Sequence, residues 1–198
     1  MTQTDTKSRR HAKVSRLPPL PDPLDAETAA YFDEAKARGH SILNLNLATA
    51  HAPKLTAAKT PLALALRNEC ESPRLYRELA IVRVGQLMDC PYELDHHLPL
   101  LLDCGFTEAQ ATALDAWRAH ASLFDERSLA VLALVDAMAA DKGNVDDAAF
   151  AGMARLFTPR EIVEIAYNAA IYFANALIIK TLRIETDAPH VRTTPGKF

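Results

Sequence analysis

The sequence carries one dense run of reactive side chains, Cys90-Pro91-Tyr92-Glu93-Leu94-Asp95-His96-His97, with a further carboxylate, Glu78, upstream of it. On a helix, at about 100° per residue, Cys90, Glu93 and His97 fall within about 60° of one another, so all three can point into one pocket, whereas Tyr92 and Asp95 point elsewhere. A cysteine at a helix N-terminus beside an imidazole is the setting in which a thiol pKa falls and a thiolate becomes available. A Glu–His pair one turn apart supplies a proton acceptor and a proton donor whose pKa values burial can push apart. An antiparallel packing of the helix upstream would bring Glu78 to the same pocket. The candidate catalytic residues are therefore His97, Glu93, Glu78 and Cys90, and the candidate substrate contacts are Tyr92, Arg83 and His96.

Each of these residues also has a plainer reading. Cys90 by itself fits a small buried hydrophobe, His96 a surface or interface position, and Arg83 a surface salt bridge. His97 and Glu93 fit a satisfied hydrogen bond in the core, although several ionisable groups converging on one pocket favour a functional role. Glu93-x-x-His96 matches the carboxylate–histidine spacing of di-iron bundles, but the second Glu-x-x-His such a site requires is absent from the sequence. No His-Glu-x-x-His, Gly-rich phosphate loop, Gly-x-Ser-x-Gly or Cys-x-x-Cys occurs, and the position that would complete the last is Glu93. Neither a metal nor a cofactor is expected.

The elements that position these residues read as helices. Glycine occurs only 6 times, alanine and leucine are abundant, and no convincing strand alternation appears, so the expected class is all-α. Asp22 or Asp25 caps a first helix running to about Lys36, with Gly39 as a left-handed stop. Ile42 to Ala50 forms a short apolar segment, and Pro53 opens a helix ending near Glu71. Ser72 as N-cap and Pro73 at the first helical position start the helix Arg74 to Met88. Asp89 or Cys90 caps the next, which Gly105 ends. Thr107 with Gln110, and Thr158 with Glu161, form capping boxes. Residues 77–82 resemble 127–132, and 105–107 resemble 156–158, which points to two related helical units with the ionisable inner positions confined to the first.

With 198 residues, the chain can bury a core without disulfides or structural metal. Against 22 Lys and Arg stand 25 Asp and Glu, a net charge of −3 that removes the electrostatic argument for nucleic-acid binding. Three cysteines, Cys70, Cys90 and Cys104, are too sparse for a secreted disulfide framework and suit a reducing cytosol, so a cytoplasmic location is expected. Residues 1–20 read as a flexible arm without a secretory signal, 21–185 as a single domain and 186–198 as a tail. The apolar stretch Ile165 to Leu182 is interrupted by Asn168, Asn175 and Lys180, so no membrane partner is expected. Tyr167, Asn168, Tyr172 and Asn175 there are expected as subunit contacts or, alternatively, as pocket walls.

The run Arg77 to Val84, then Cys90-x-Tyr92-Glu93-x-x-x-His97, then Gly105-Phe106-Thr107, resembles the carboxymuconolactone decarboxylase family, which includes the AhpD-type alkylhydroperoxidases. The resemblance extends over about residues 40 to 185. It implies a small all-α protein of helix-repeat architecture, assembled as a homotrimer or hexamer and acting on a small molecule. It matches Glu78 to the relay glutamate of the peroxidase branch, Cys90 to its first cysteine and His97 to its histidine, with Glu93 in place of the second cysteine. Without that resolving thiol the peroxidase cycle is incomplete, and Cys104 lies about 21 Å along the same helix. The expectation is therefore a cofactor-independent, decarboxylase-like lyase acting on a small organic acid or lactone of the kind formed in aromatic catabolism. In it His97 is the acid/base, Glu93 its partner and Glu78 a supporting carboxylate. The alternatives are a thiol peroxidase using Cys90 and a non-catalytic oligomeric binding protein.

Overall fold

A computed structural model describes residues 13–38 and 41–188. Among them are nine α-helices and no strand: α1 (Ala26–Ala37), α2 (Asn44–Thr49), α3 (Pro53–Asn68), α4 (Arg74–Leu87), α5 (Pro91–Asp103), α6 (Glu108–Ala113), α7 (Glu126–Ala140), α8 (Asp147–Leu156) and α9 (Pro159–Leu182). The all-α expectation holds. The described residues divide into two compact units, one of those between 13 and 65 together with 178–188, the other of residues 66–177. The single domain expected over 21–185 thus runs through both.

In the first unit Asp25 caps α1, its Oδ1 accepting from the Thr28 amide at 2.8 Å, and Phe32, Leu47 and Ala50 form a small core. Part of the expected flexible arm is tied down here. Leu20 is buried in this core, the Arg16 amide donates to the Leu182 carbonyl, and the Glu185 amide donates to the Val14 carbonyl, both at 2.9 Å. Asn44 holds the start of the expected tail, donating from its amide to Asp187 Oδ1 at 2.9 Å and from Nδ2 to the Glu185 carbonyl at 3.0 Å. Gly39, expected as the stop of the first helix, lies outside the described residues.

The second unit carries the larger core, built on Leu79, Val82, Leu101, Val131, Leu132, Val135, Met153 and Ile165. Helix α4 packs against α5 and α7, and α7 against α8. Three residues join α4 to α5. Asp89 takes a left-handed conformation (φ 47°), its amide donating to Gln86 and the Cys90 amide to Gly85. That pair of hydrogen bonds is a Schellman stop, and it makes Cys90 both the last residue of the stop and the N-cap of α5. So short a connection forces the two helices to run antiparallel. At Gly85 a Cβ would lie 2.9 Å from Leu94 Cδ2 and 3.5 Å from Glu93 Cβ, so glycine permits α5 to lie this close. At the far end of α5, Gly105 (φ 95°) closes a second Schellman stop through Phe106 and Leu101, as expected from the sequence.

Both capping boxes form, Thr107 with Gln110 before α6 and Thr158 with Glu161 before α9. Each follows a helix pair, α4–α5 and α7–α8, in the order the internal similarity implied. One cap moves by a residue. Pro73, not Ser72, is the N-cap of α4, because the Ser72 carbonyl and hydroxyl are taken by the buried Arg77 guanidinium and its amide by Glu164 Oε2 at 2.8 Å.

Candidate active site

Helices α4 and α5 place Glu78 and His97 side by side. His97 Nδ1 lies 2.8 Å from Glu78 Oε2, both side chains buried. Burial pushes the Glu78 carboxyl up, but the hydrogen bond and charge of His97, with Arg74 behind, outweigh it and hold the group below its usual range. An ionised carboxylate only accepts, so the proton of this bond sits on Nδ1 and the working nitrogen of the ring is Nε2. One turn back on α5, Glu93 presents Oε2 to Nε2 at 3.7 Å. This gap is longer than a hydrogen bond and is of the kind that closes when a reacting molecule enters. At the outer end Arg74 Nε donates to Glu78 Oε1 at 3.2 Å. The sequence reading missed Arg74, whose signal was its position four residues before Glu78 on the same helix face.

The result is a chain, Arg74–Glu78–His97–Glu93, leading from a half-exposed cation to a buried carboxylate. Buried charges of this kind are costly unless paired: Glu78 is hydrogen-bonded to both His97 and Arg74, whereas Glu93 faces His97 across the 3.7 Å gap. Cys90 is buried as the N-cap of α5, three residues before Glu93. The other two thiols are elsewhere. Cys104 caps the opposite end of α5, and burial pushes both it and Cys70 above the ordinary thiol pKa.

The remaining expected residues separate into two groups. Tyr92 and His96 are buried on the neighbouring face of α5, with their rings 4.8 Å apart; His96 is not the surface residue that one reading of the sequence suggested. Arg83 lies five residues, about 140°, around α4 from Glu78. Its Nε donates to Asp136 Oδ1 at 2.6 Å, and its Nη1 to Gln86 at 3.0 Å. Asp136 also accepts from Trp117 at 3.1 Å and from Arg118. Arg83 is thus engaged in tying α4 to α7 and the 114–118 turn. The salt bridge anticipated for it exists, but it is buried rather than on the surface.

Of the four α9 residues expected at subunit contacts or pocket walls, Tyr172 reaches the site of its own chain. Its ring stands at 83° to that of His97 with centroids 4.7 Å apart. Asn168 is buried and donates to the Glu164 carbonyl at 2.9 Å, Asn175 is also buried, and Tyr167 is half exposed. Helix α9 is the one described helix long and apolar enough to cross a membrane by length and composition. Its inward line of Asn168, Tyr172 and Asn175 is that of a helix serving a polar interior. Among the described residues no group of three His, Cys, Asp or Glu side chains is arranged to hold a metal ion.

Comparison with known proteins agrees with this architecture. Residues 53–137 match the carboxymuconolactone decarboxylase family. An uncharacterized peroxidase-related protein from Silicibacter sp. TM1040 is similar in structure, with a TM-score of 0.68, 20% identity, and coverage of 90% of this chain and 92% of that one. So is an uncharacterized peroxidase-related protein from Ralstonia eutropha JMP134, described as an alkylhydroperoxidase AhpD core, with a TM-score of 0.69, 19% identity, and coverage of 89% and 94%. Likeness at this identity is one of fold. No curated protein matches the sequence.

Proposed function

We propose, from the match of residues 53–137 to the carboxymuconolactone decarboxylase family and the chemistry of the site, that this protein is a cofactor-independent lyase using His97 and Glu93 as a proton-transfer pair. The single observation that carries this reading is the buried array in which Glu78 fixes the His97 tautomer at 2.8 Å while Nε2 faces Glu93. Loss of CO₂ from a carboxylated lactone leaves the electron pair of the broken C–C bond on carbon, delocalised as a dienolate. The reaction is completed when a proton is delivered to that carbon. In this reading Glu93 and His97 Nε2 hold that proton between them and pass it on, and Glu78 stabilises the imidazolium that forms when His97 carries it. Arg83, spent on Asp136, has no part in this scheme. The substrate class is a small organic acid or lactone.

The test is CO₂ release from a series of carboxylated γ-lactones in D₂O, with deuterium uptake at the product carbon followed by NMR. Turnover in the wild-type chain that falls at least a hundredfold in His97→Ala supports the reading; equal turnover in a folded His97→Ala chain overturns it.

A second reading rests on Cys90, buried at the N-terminus of α5, the helix that carries Glu93 and His97, and on the peroxidase-related names of the similar structures. A Cys90 thiolate would attack the peroxide O–O bond, forming a sulfenic acid and releasing alcohol. With Glu93 in place of a second near cysteine, an external thiol would then reduce it to give a mixed disulfide and water.

The proposal extends to assembly as a homotrimer or hexamer in the cytoplasm. Val163, Tyr167 and Leu177 are 62%, 49% and 57% exposed along one face of α9, an apolar stripe of the kind a second copy covers.

A further inference from the structure

We propose that the Tyr172 hydroxyl is the hydrogen-bond donor that holds an uncharged acceptor oxygen of the substrate, such as a lactone carbonyl, against the His97–Glu93 pair. The inference deepens the functional reading above and rests on its placing the reaction at His97. Tyr172 comes from α9, a different element from those that carry the rest of the site. Its ring stands nearly perpendicular to the imidazole at a centroid distance of 4.7 Å and packs against the core of the second unit. It therefore lies directly against the imidazole that carries Nε2.

Tyr172 is half-buried, its described contact is with the His97 ring, and its hydroxyl proton is of the kind a molecule entering the site can accept. Around it, Nδ1–H of His97 is given to Glu78 and Arg74 Nε to the other oxygen of Glu78, while the buried Oε1 of Glu93 makes no hydrogen bond to a described residue. Burial, then the neighbouring Glu93 and Glu78 carboxylates, raise the phenol pKa far above its ordinary value against the weaker opposing pull of Arg67 and Arg74. The group thus stays protonated and able to donate. The same two carboxylates set the specificity. An anionic oxygen at this position would meet their field, whereas a neutral carbonyl oxygen accepts the phenol proton without that repulsion.

The experiment uses the full chain and α-angelica lactone, an uncharged unsaturated γ-lactone, with binding read from the His97 ring resonances. Tyr172→Phe keeps the ring and removes only the donor. The expected result is binding weakened about three- to tenfold, the loss of one neutral hydrogen bond, with the His97 titration curve unchanged. Binding equal to wild type overturns the proposal, as does failure of the wild-type chain to bind the lactone. Should Tyr172→Phe not fold, 3-fluorotyrosine labelling of the wild-type chain answers the same question. The Tyr172 fluorine signal must shift when the lactone perturbs His97, and a stationary signal overturns the proposal. The probe has no carboxyl group to lose, so binding is judged apart from CO₂ release. A Tyr172-dependent affinity with no decarboxylation of carboxylated lactones would leave this inference standing and remove the lyase reading, and the converse result would do the reverse.

Discussion

Glu78 Oε2 and His97 Nδ1 meet at 2.8 Å between two antiparallel helices that are joined by only three residues. Glu78 needs an imidazole to remain ionised in a buried setting, and His97 needs an acceptor to keep its proton on Nδ1. Each residue supplies what the other requires.

Removing the acceptor charge should therefore disturb the imidazole without removing it. Glu78→Gln is expected to lower turnover by about ten- to a hundredfold, the range for a group that orients a metal- or proton-handling histidine, with substrate binding retained. His97→Ala should cost about a hundred- to ten-thousandfold. The pH dependence of unfolding checks the same pair. The folded-state pKa of Glu78 is depressed, so its contribution to stability is complete above the ordinary carboxylate pKa and is lost as pH falls through the folded value. Glu78→Gln should flatten that acid limb.

Glu164 provides a second acid-sensitive contact, remote from the chemistry. Its carboxylate accepts from the amides of Ser72 at 2.8 Å and Glu71 at 3.1 Å and from Arg160 at 3.0 Å. These bonds outweigh the effect of burial and bring its pKa down to about 2. Glu164→Gln should cost about 1–3 kcal/mol at pH 7. The difference from wild type should be full above pH 4.5, the ordinary value, and should vanish between there and about 2. Urea denaturation across that range measures it.

Asp136→Ala leaves the buried Arg83 with the exposed Asp115, 3.8 Å away, in place of its close, buried carboxylate partner. The expected loss is about 3–5 kcal/mol in urea denaturation, with the His97 NMR titration unmoved. A shift in that titration would mean that the Arg83–Asp136 pair acts on the site and is not only a tie between α4 and α7.

Cys90→Ser separates the two readings of the chemistry. Peroxide consumption that disappears in the variant identifies a thiol peroxidase. Decarboxylation retained within about threefold, the cost of a small polar change in a packed wall, identifies Cys90 as lining only.

Val163→Glu with Tyr167→Glu places two charges on the exposed stripe of α9. Sedimentation should show the wild-type assembly and its dissociation in the double variant, since charge in an apolar contact leaves both carboxylates desolvated.

Much of this protein was determined by its sequence alone, because the signals were local. Helix periodicity, the Thr107–Gln110 and Thr158–Glu161 capping boxes and the glycine stop at Gly105 depend on neighbours within a few residues, and each formed as read. The shared face of Glu93 and His97 follows from helix geometry in the same way, with Cys90 as the cap that precedes it. What lay between elements was decided by tertiary structure. Ser72 lost the N-cap of α4 to Pro73 because Arg77 and Glu164 occupied its polar groups. Arg83 turned to Asp136, more than fifty residues away, where opposite charge in a buried setting outweighs any open position. Tyr172 came to the His97 ring by the packing of α9, a relationship no spacing encodes. Residues on one helix can be placed by counting; those brought from another can be placed only by the fold, because the contact between them depends on how whole helices pack.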